Sequence, residues 1–269
     1  FSDFVGDRPR SRDALVAGND VLLFPGDPVQ VIEEVILAIN VGTLDSTVVA
    51  EKCRRVLQAK FWTKANEEIP SKGEYWDPER AERVHRDIIE ASITVLTNKR
   101  GWIDRLENWS RITVLNVANK QSSGEPFTKH FNLVGGGNYN TSAFTIGKNA
   151  NGLKKPEVKE ALESADYVIV NFLETSNRPS KKFGISSEAV TSLSEEMNKN
   201  ENVWVFNIFG NPYRLNEEFD AIQKSAGSLI VAYQDGYRTQ EAVVNALLGA
   251  GTAEGLLPVT PQSQFLKAG

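Results

Sequence analysis

The chain has 269 residues, 41% of them hydrophobic, and carries a net charge of −5 from 30 Lys and Arg against 35 Asp and Glu. That much apolar material builds a substantial core, while charges spread without single-sign blocks leave no basic stripe to follow a phosphate backbone, so no nucleic-acid partner is expected. The run VLLF at 21–24 falls far short of the roughly 20 apolar residues that a bilayer span requires, and no membrane span is expected either.

The chain opens on FSDFVGD, in which Asp3 stands between Phe1 and Phe4 like an acid at the tip of a buried strand. ALVAGNDVLLFPGD then predicts a short strand over 21–24 before a Pro-Gly-Asp turn. Apolar residues at 29, 31, 32, 35, 36 and 39 predict a mostly buried helix that ends at Gly42. Asp45 or Ser46 can cap a second helix running to about Phe61, because a short oxygen-bearing side chain accepts a first-turn amide. The single Cys, Cys53, is expected to be a buried small hydrophobe on that helix. One strand and two helices cannot bury their own apolar faces, so residues 1–62 must pack on something else.

Residues 63–77, TKANEEIPSKGEYWD, are polar, hold Pro and Gly, and lack a period, as a linker does. Asp77 then caps a helix with Pro78 in its first turn and Ala81, Val84, Ile88 and Ala91 on one face. Beyond it, β-rich runs at 92–96, 111–117, 142–146, 166–172, 203–209 and 228–233 alternate with helical patterns near 156–164, 186–199, 216–225 and 238–248. Runs that are apolar on both faces and separated by amphipathic helices predict a mainly parallel sheet covered on both sides. Residues 78–269 are therefore expected to form a doubly wound three-layer α/β/α sandwich.

Ligands of such sheets collect where loops leave the carboxyl ends of the strands. Glu174 in LETSNRPSKKFG, Asn211 in GNPYRL, and Asp235 and Arg238 in QDGYRTQ are the polar candidates for that rim, with solvated loops and a simple Asn-Pro turn as the alternative. LVGGGNYN at 133–140 has neither the G-x-G-x-x-G nor the Gly-Lys-Ser/Thr spacing of a phosphate cradle and reads as a flexible connection. No G-x-S-x-G elbow is present. Two His and one Cys exclude a Cys/His zinc cluster within the chain, and neither a metal nor a cofactor is expected. Paired carboxylates are the chemistry that remains.

Taken together, FSDF, ALVAGNDVLLFPGD, KCRRVLQAKFW, HRDIIEASITVLTNKRGWIDRL, VFNIFGNPY, LIVAYQD and GLLPVTP resemble, in consistent order along nearly the whole chain, the carboxyl-terminal part of family 3 glycoside hydrolases, especially their β-N-acetylglucosaminidase branch. The resemblance implies that residues 1–62 are the last strand and helices of a (β/α)8-type barrel and that 78–269 are the sandwich domain of that family. It also implies retaining hydrolysis, in which one carboxylate attacks the anomeric carbon and a second group moves the proton. Asp3 matches the nucleophile of the family's F-[S/T]-D motif. Glu174 is a candidate for the glutamate that the sandwich domain of related enzymes lends to the active site.

Two departures from the family stand out. The interval from Asp3 to ALVAGND is short, and the Lys-His-Phe-x-Gly-His-Gly acid/base loop is absent. KHF at 129–131 imitates only its start, so His130 reads as ordinary surface chemistry. The implied substrate is a β-linked N-acetylglucosaminide, such as a bacterial cell-wall fragment, in a cytoplasmic or periplasmic setting. Without the remainder of its barrel, in cis or in trans, the chain is expected to be inactive; the alternative is a non-catalytic module that binds carbohydrate or supports a barrel.

Overall fold

The computed structural model describes residues 10–23, 27–64, 77–99, 106–199 and 201–260. The chain divides into two compact units, residues 1–76 and 77–269. In the first, α1 (Arg10–Val16), α2 (Pro28–Asn40) and α3 (Ser46–Trp62) are the regular elements among the described residues. Asp27 starts α2 by accepting the amides of Val29 and Gln30, and Asp45 starts α3 by accepting that of Thr47. Gly42, at φ +75°, turns the chain between them in a conformation that a side chain would disfavour.

This unit has little core. Leu15, Ala38 and Leu44 are its buried apolar side chains among the described residues, whereas Val29, Ile32, Ile36 and Leu37 of α2 and Leu57, Phe61 and Trp62 of α3 are exposed. Two expectations are corrected here. Residues 21–23 form no strand, since a strand needs a hydrogen-bonded neighbour and the first unit supplies none among its described residues. Cys53 is exposed rather than buried, because little apolar surface packs against α3 among the described residues.

The second unit is the expected sandwich. Its elements are α4 (Pro78–Ser92), β1 (Thr94–Asn98), β2 (Arg111–Val117), α5 (Glu125–Val134), β3 (Asn140–Thr145), α6 (Pro156–Ser164), β4 (Tyr167–Phe172), α7 (Ser187–Met197), β5 (Val203–Ile208), α8 (Asp220–Ser225), β6 (Ser228–Val231) and α9 (Tyr237–Leu247). The six strands form one sheet in the order β1-β6-β5-β4-β2-β3. All neighbouring pairs are parallel except β1 with β6. On one face, Leu115, Val168, Val170, Trp204 and Phe206 pack under Leu162 of α6 and Leu193 of α7. On the other, Val114, Ile169 and Val205 pack under Ile89 of α4, Phe127 and Phe131 of α5 and Val243 of α9. Alternating strand residues thus feed two separate cores, the physical reason the central strands read as continuous apolar runs.

Two details differ from the sequence pattern. Val84 and Ile88 of α4 are exposed, and Ile89 and Ile93 make its inward contact instead. Helix α5 arises within EPFTKHFNLV, where Pro126 sits in the first turn and Phe127 and Phe131, four residues apart, reach the core.

Candidate functional site

β3 lies on one side of β2 and β4 on the other, so the chain reverses its direction of travel across the sheet between β2 and β4. The crevice at the carboxyl ends of those two strands is where doubly wound folds collect ligands. Here the crevice is filled from within. Glu174, just after β4 and at φ +51°, aims its carboxylate into the loop that follows β2. It accepts the amides of Asn119 (3.1 Å) and Lys120 (2.9 Å) and the hydroxyl of Ser123 (2.7 Å). Those groups stand at the entry to the single helical turn Gln121–Gly124 that leads into α5, where unpaired amides favour an anion.

Asp235, after β6, completes this arrangement by accepting the Glu174 amide at 2.7 Å. Lys148, from the segment after β3, donates to the carbonyls of Leu173 (2.7 Å) and Glu174 (2.9 Å). Burial works against ionisation of Glu174, but the donors from Lys120, Ser123 and Asn119, with the positive charge of Lys148, outweigh it and lower its pKa. Burial lowers the pKa of Lys148, against the pull of Glu174 and Asp235. An ionised carboxylate holding three donors is suited to anchoring loops and is in the wrong protonation state to donate a proton.

Behind the crevice lies a ladder of buried carboxamides. Asn207 Nδ2 donates to Asn171 Oδ1, and Asn171 Nδ2 to Asn116 Oδ1, each at 2.9 Å across adjacent parallel strands in register. Gly124 packs directly on this ladder: a Cβ there would stand 2.2 Å from Asn116 Cγ. Gln240 of α9 joins the same end of the sheet by accepting the Phe127 amide and donating to the carbonyls of Ser123 and Asp235. Sequence inspection passed over these residues, although an Asn stands second from the end of each of β2, β4 and β5, a recurrence visible in RITVLNV, YVIVNF and VWVFNI.

The remaining sequence candidates go elsewhere. Asn211 accepts the Tyr213 amide at 3.0 Å and starts the short turn Pro212–Arg214. It also lines a cavity of about 510 Å³ at the carboxyl ends of β4 and β5, where Phe183 and Tyr213 offer aromatic surface beside Asn177 and Thr260. Arg238 pairs with Glu82 of α4 and lies over the Tyr237 ring, in a different cavity that also contains His130. His130 bonds Asn245 at 2.8 Å. Gly136 and Gly137 make a left-handed turn after α5, as a connection requires. Asp3 lies outside the described residues. Among the described residues no cluster of His, Cys, Asp and Glu could hold a metal ion, and no helix is long and apolar enough to cross a membrane.

The structure therefore defines an α/β/α sandwich with a self-filled switch crevice and an aromatic-lined cavity beside it. Its fold is that of the carboxyl-terminal region of family 3 glycoside hydrolases. The chain superposes on a fungal multi-domain family 3 β-N-acetylglucosaminidase with a TM-score of 0.73 at 18% identity, over 99% of this chain and 30% of that one. A family 3 β-N-acetylglucosaminidase from Paenibacillus sp. str. FPU-7 gives 0.71 at 18% identity, over 97% of this chain and 49% of that one. The β-glucoside phosphorylase BglX gives 0.68 at 18% identity, over 96% and 46% respectively. The chain thus spans less than half the length of each of these enzymes. No protein-family model matches the sequence, and no curated protein matches it.

Proposed function

We propose that the chain is the carboxyl-terminal region of a retaining glycoside hydrolase of family 3 that acts on β-linked N-acetylglucosaminides, with cell-wall fragments as the natural source. The observation that carries this is the correspondence of fold across both units, 99% of the chain against one β-N-acetylglucosaminidase and 97% against another. The thin core of residues 10–64, with Ile32, Ile36, Leu57 and Phe61 facing solvent, supports the same conclusion. A segment cut from a closed barrel leaves such faces where neighbouring helices and strands would lie.

In this mechanism Asp3 is the nucleophile that attacks the anomeric carbon. The sandwich unit supports the barrel: Glu174 and Asp235 fix the loops at the carboxyl ends of β2, β4 and β6. Asn211 marks the part of that rim at which a saccharide is held, beside Phe183 and Tyr213. Without the rest of the barrel the chain does not turn over. The test is release of nitrophenol from its β-N-acetylglucosaminide by the protein that combines this chain with the remaining barrel. Asp3→Ala abolishes the rate; an undiminished rate removes Asp3 from the mechanism.

A supporting or carbohydrate-binding module without catalysis is the second reading, favoured by the engagement of Glu174 with three donors. It predicts saccharide binding to the chain with no rate even when the barrel is complete.

A further inference from the structure

A second groove, of about 620 Å³, opens at the amino ends of β2, β4 and β5, the opposite edge of the sheet from the switch crevice. Trp109 stands at its mouth with 80% of its surface exposed. Its backbone is held at φ +69° in the turn before β2, its amide donates to the Asn138 carbonyl, and the next residue, Ser110, bonds back to the Glu107 carbonyl through its hydroxyl at 2.6 Å. Trp109 thus lies mostly in water on a backbone held in the left-handed region. It is presented outward.

The polar groups around it are pre-oriented. Asp166 is gripped by Arg111 through Nε and Nη2 of the guanidinium and through the backbone amide. Asn202 is fixed by donating to the carbonyls of Leu162 (2.7 Å) and Ala165 (3.0 Å). Glu107, Glu163, Glu201 and Tyr167 lie among the lining residues. Four acidic residues among those lining the groove disfavour an anionic ligand such as a phosphate.

We infer that this groove is a saccharide-binding site separate from the carboxyl-end rim, with Trp109 as its stacking platform. A pyranose ring matches both halves of the surface. Its flat C–H face covers an indole, and its rim hydroxyls donate to carboxylate oxygens, of which those of Asp166 are held in place by Arg111. The class of ligand rests on the proposed carbohydrate function; the location rests on the groove alone.

The test uses the full 269-residue chain, titrated with N-acetylchitotetraose and with cellotetraose, read by calorimetry and by the indole N–H resonances of isotope-labelled tryptophan. Binding is expected to move the Trp109 resonance and leave that of the buried Trp204 in place. Trp109→Gly, which suits the positive φ and so preserves the turn, is expected to weaken binding about tenfold or more, and Trp109→Phe to retain part of it. Leu133→Ala, at an exposed position of α5 outside both saccharide surfaces, should leave it unchanged. Binding lost in Tyr213→Ala but kept in Trp109→Gly overturns the site while leaving a saccharide-binding rim. Selective binding of choline at Trp109 in place of either sugar overturns the ligand class. No binding of either sugar at millimolar concentration overturns the site outright, and the nitrophenol assay then judges the glycosidase function separately.

Discussion

The Glu174 carboxylate accepts the Lys120 backbone amide at 2.9 Å and thereby ties the end of β4 to the segment that leads from β2 into α5. A crevice that in other doubly wound sheets receives a ligand's negative charge is occupied by the protein's own. Glu174→Ala is expected to cost about 1–2 kcal/mol, the scale of hydrogen bonds to a charged acceptor discounted for amides that water can reach. Glu174→Gln should cost less. Formate should recover part of the loss in the alanine variant, measured as a shift of the urea midpoint, and fail to do so in the parent chain.

The sign of the pH dependence follows from the same contacts. The folded-state pKa of Glu174 lies below its ordinary value of 4.5. Its contribution to stability is therefore complete above that ordinary value and is lost as pH falls through the depressed one. Subtracting the acid unfolding curve of Glu174→Gln from that of the parent isolates this contribution; a difference that grew on acidification would contradict the contacts.

Asn171 is fully buried between Asn116 and Asn207, donating to one and accepting from the other. Asn171→Leu strands both partners in an apolar setting and is expected to destabilise the sandwich by about 2–4 kcal/mol. Replacing all three asparagines by leucine should cost less than the sum of the single changes, because the orphaned amides disappear together. Chemical denaturation of the singles and the triple measures this coupling.

Gly124→Ala puts a methyl group against the Asn116 carboxamide, 2.2 Å from its Cγ. A loss of about 1–3 kcal/mol is expected, as for overpacking elsewhere. In an Asn116→Ala background the added penalty of Gly124→Ala should shrink, since the atoms it meets are gone.

Within the first unit, Arg55 grips Asp20 through two nitrogens, and Lys52 stands 3.5 Å away. The Arg55 hydrogen bond is the main cause that lowers the Asp20 pKa to about 2. This ion pair therefore holds its full strength above the ordinary value of 3.8 and fades only as pH drops through about 2. Carbon-detected NMR titration of the carboxyl should show a return toward the ordinary value in Arg55→Ala.

Much of the sandwich is legible in the sequence because its central strands, buried on two faces, must be apolar throughout, and RITVLNV, DYVIVNF and VWVFNIF leave little else for them to be. Caps were equally readable at Asp45 and Asp77, which accept first-turn amides, whereas Asp27, legible only as part of a turn, proves to cap α2. α5 was harder to see, since its polar residues and the glycines after it look like a connection, and only the spacing of Phe127 and Phe131 marks a buried face. Residues 21–23 show the limit of local pattern, because pairing depends on a neighbour that the pattern does not contain. Of the rim candidates, Glu174 and Asp235 meet, but loop position alone could not reveal that Glu174 turns inward to backbone amides while Arg238 pairs with Glu82.

The central claim is that residues 10–64 are a piece of a larger closed barrel, whereas residues 77–260 form a self-sufficient sandwich. Hydrogen exchange on the isolated chain measures this directly, because amide protection reports local stability segment by segment. A barrel fragment gives rapid exchange through α2 and α3 beside strong protection in β2, β4 and β5. Protection in α2 and α3 equal to that of the central strands would show a self-contained first unit and contradict the claim.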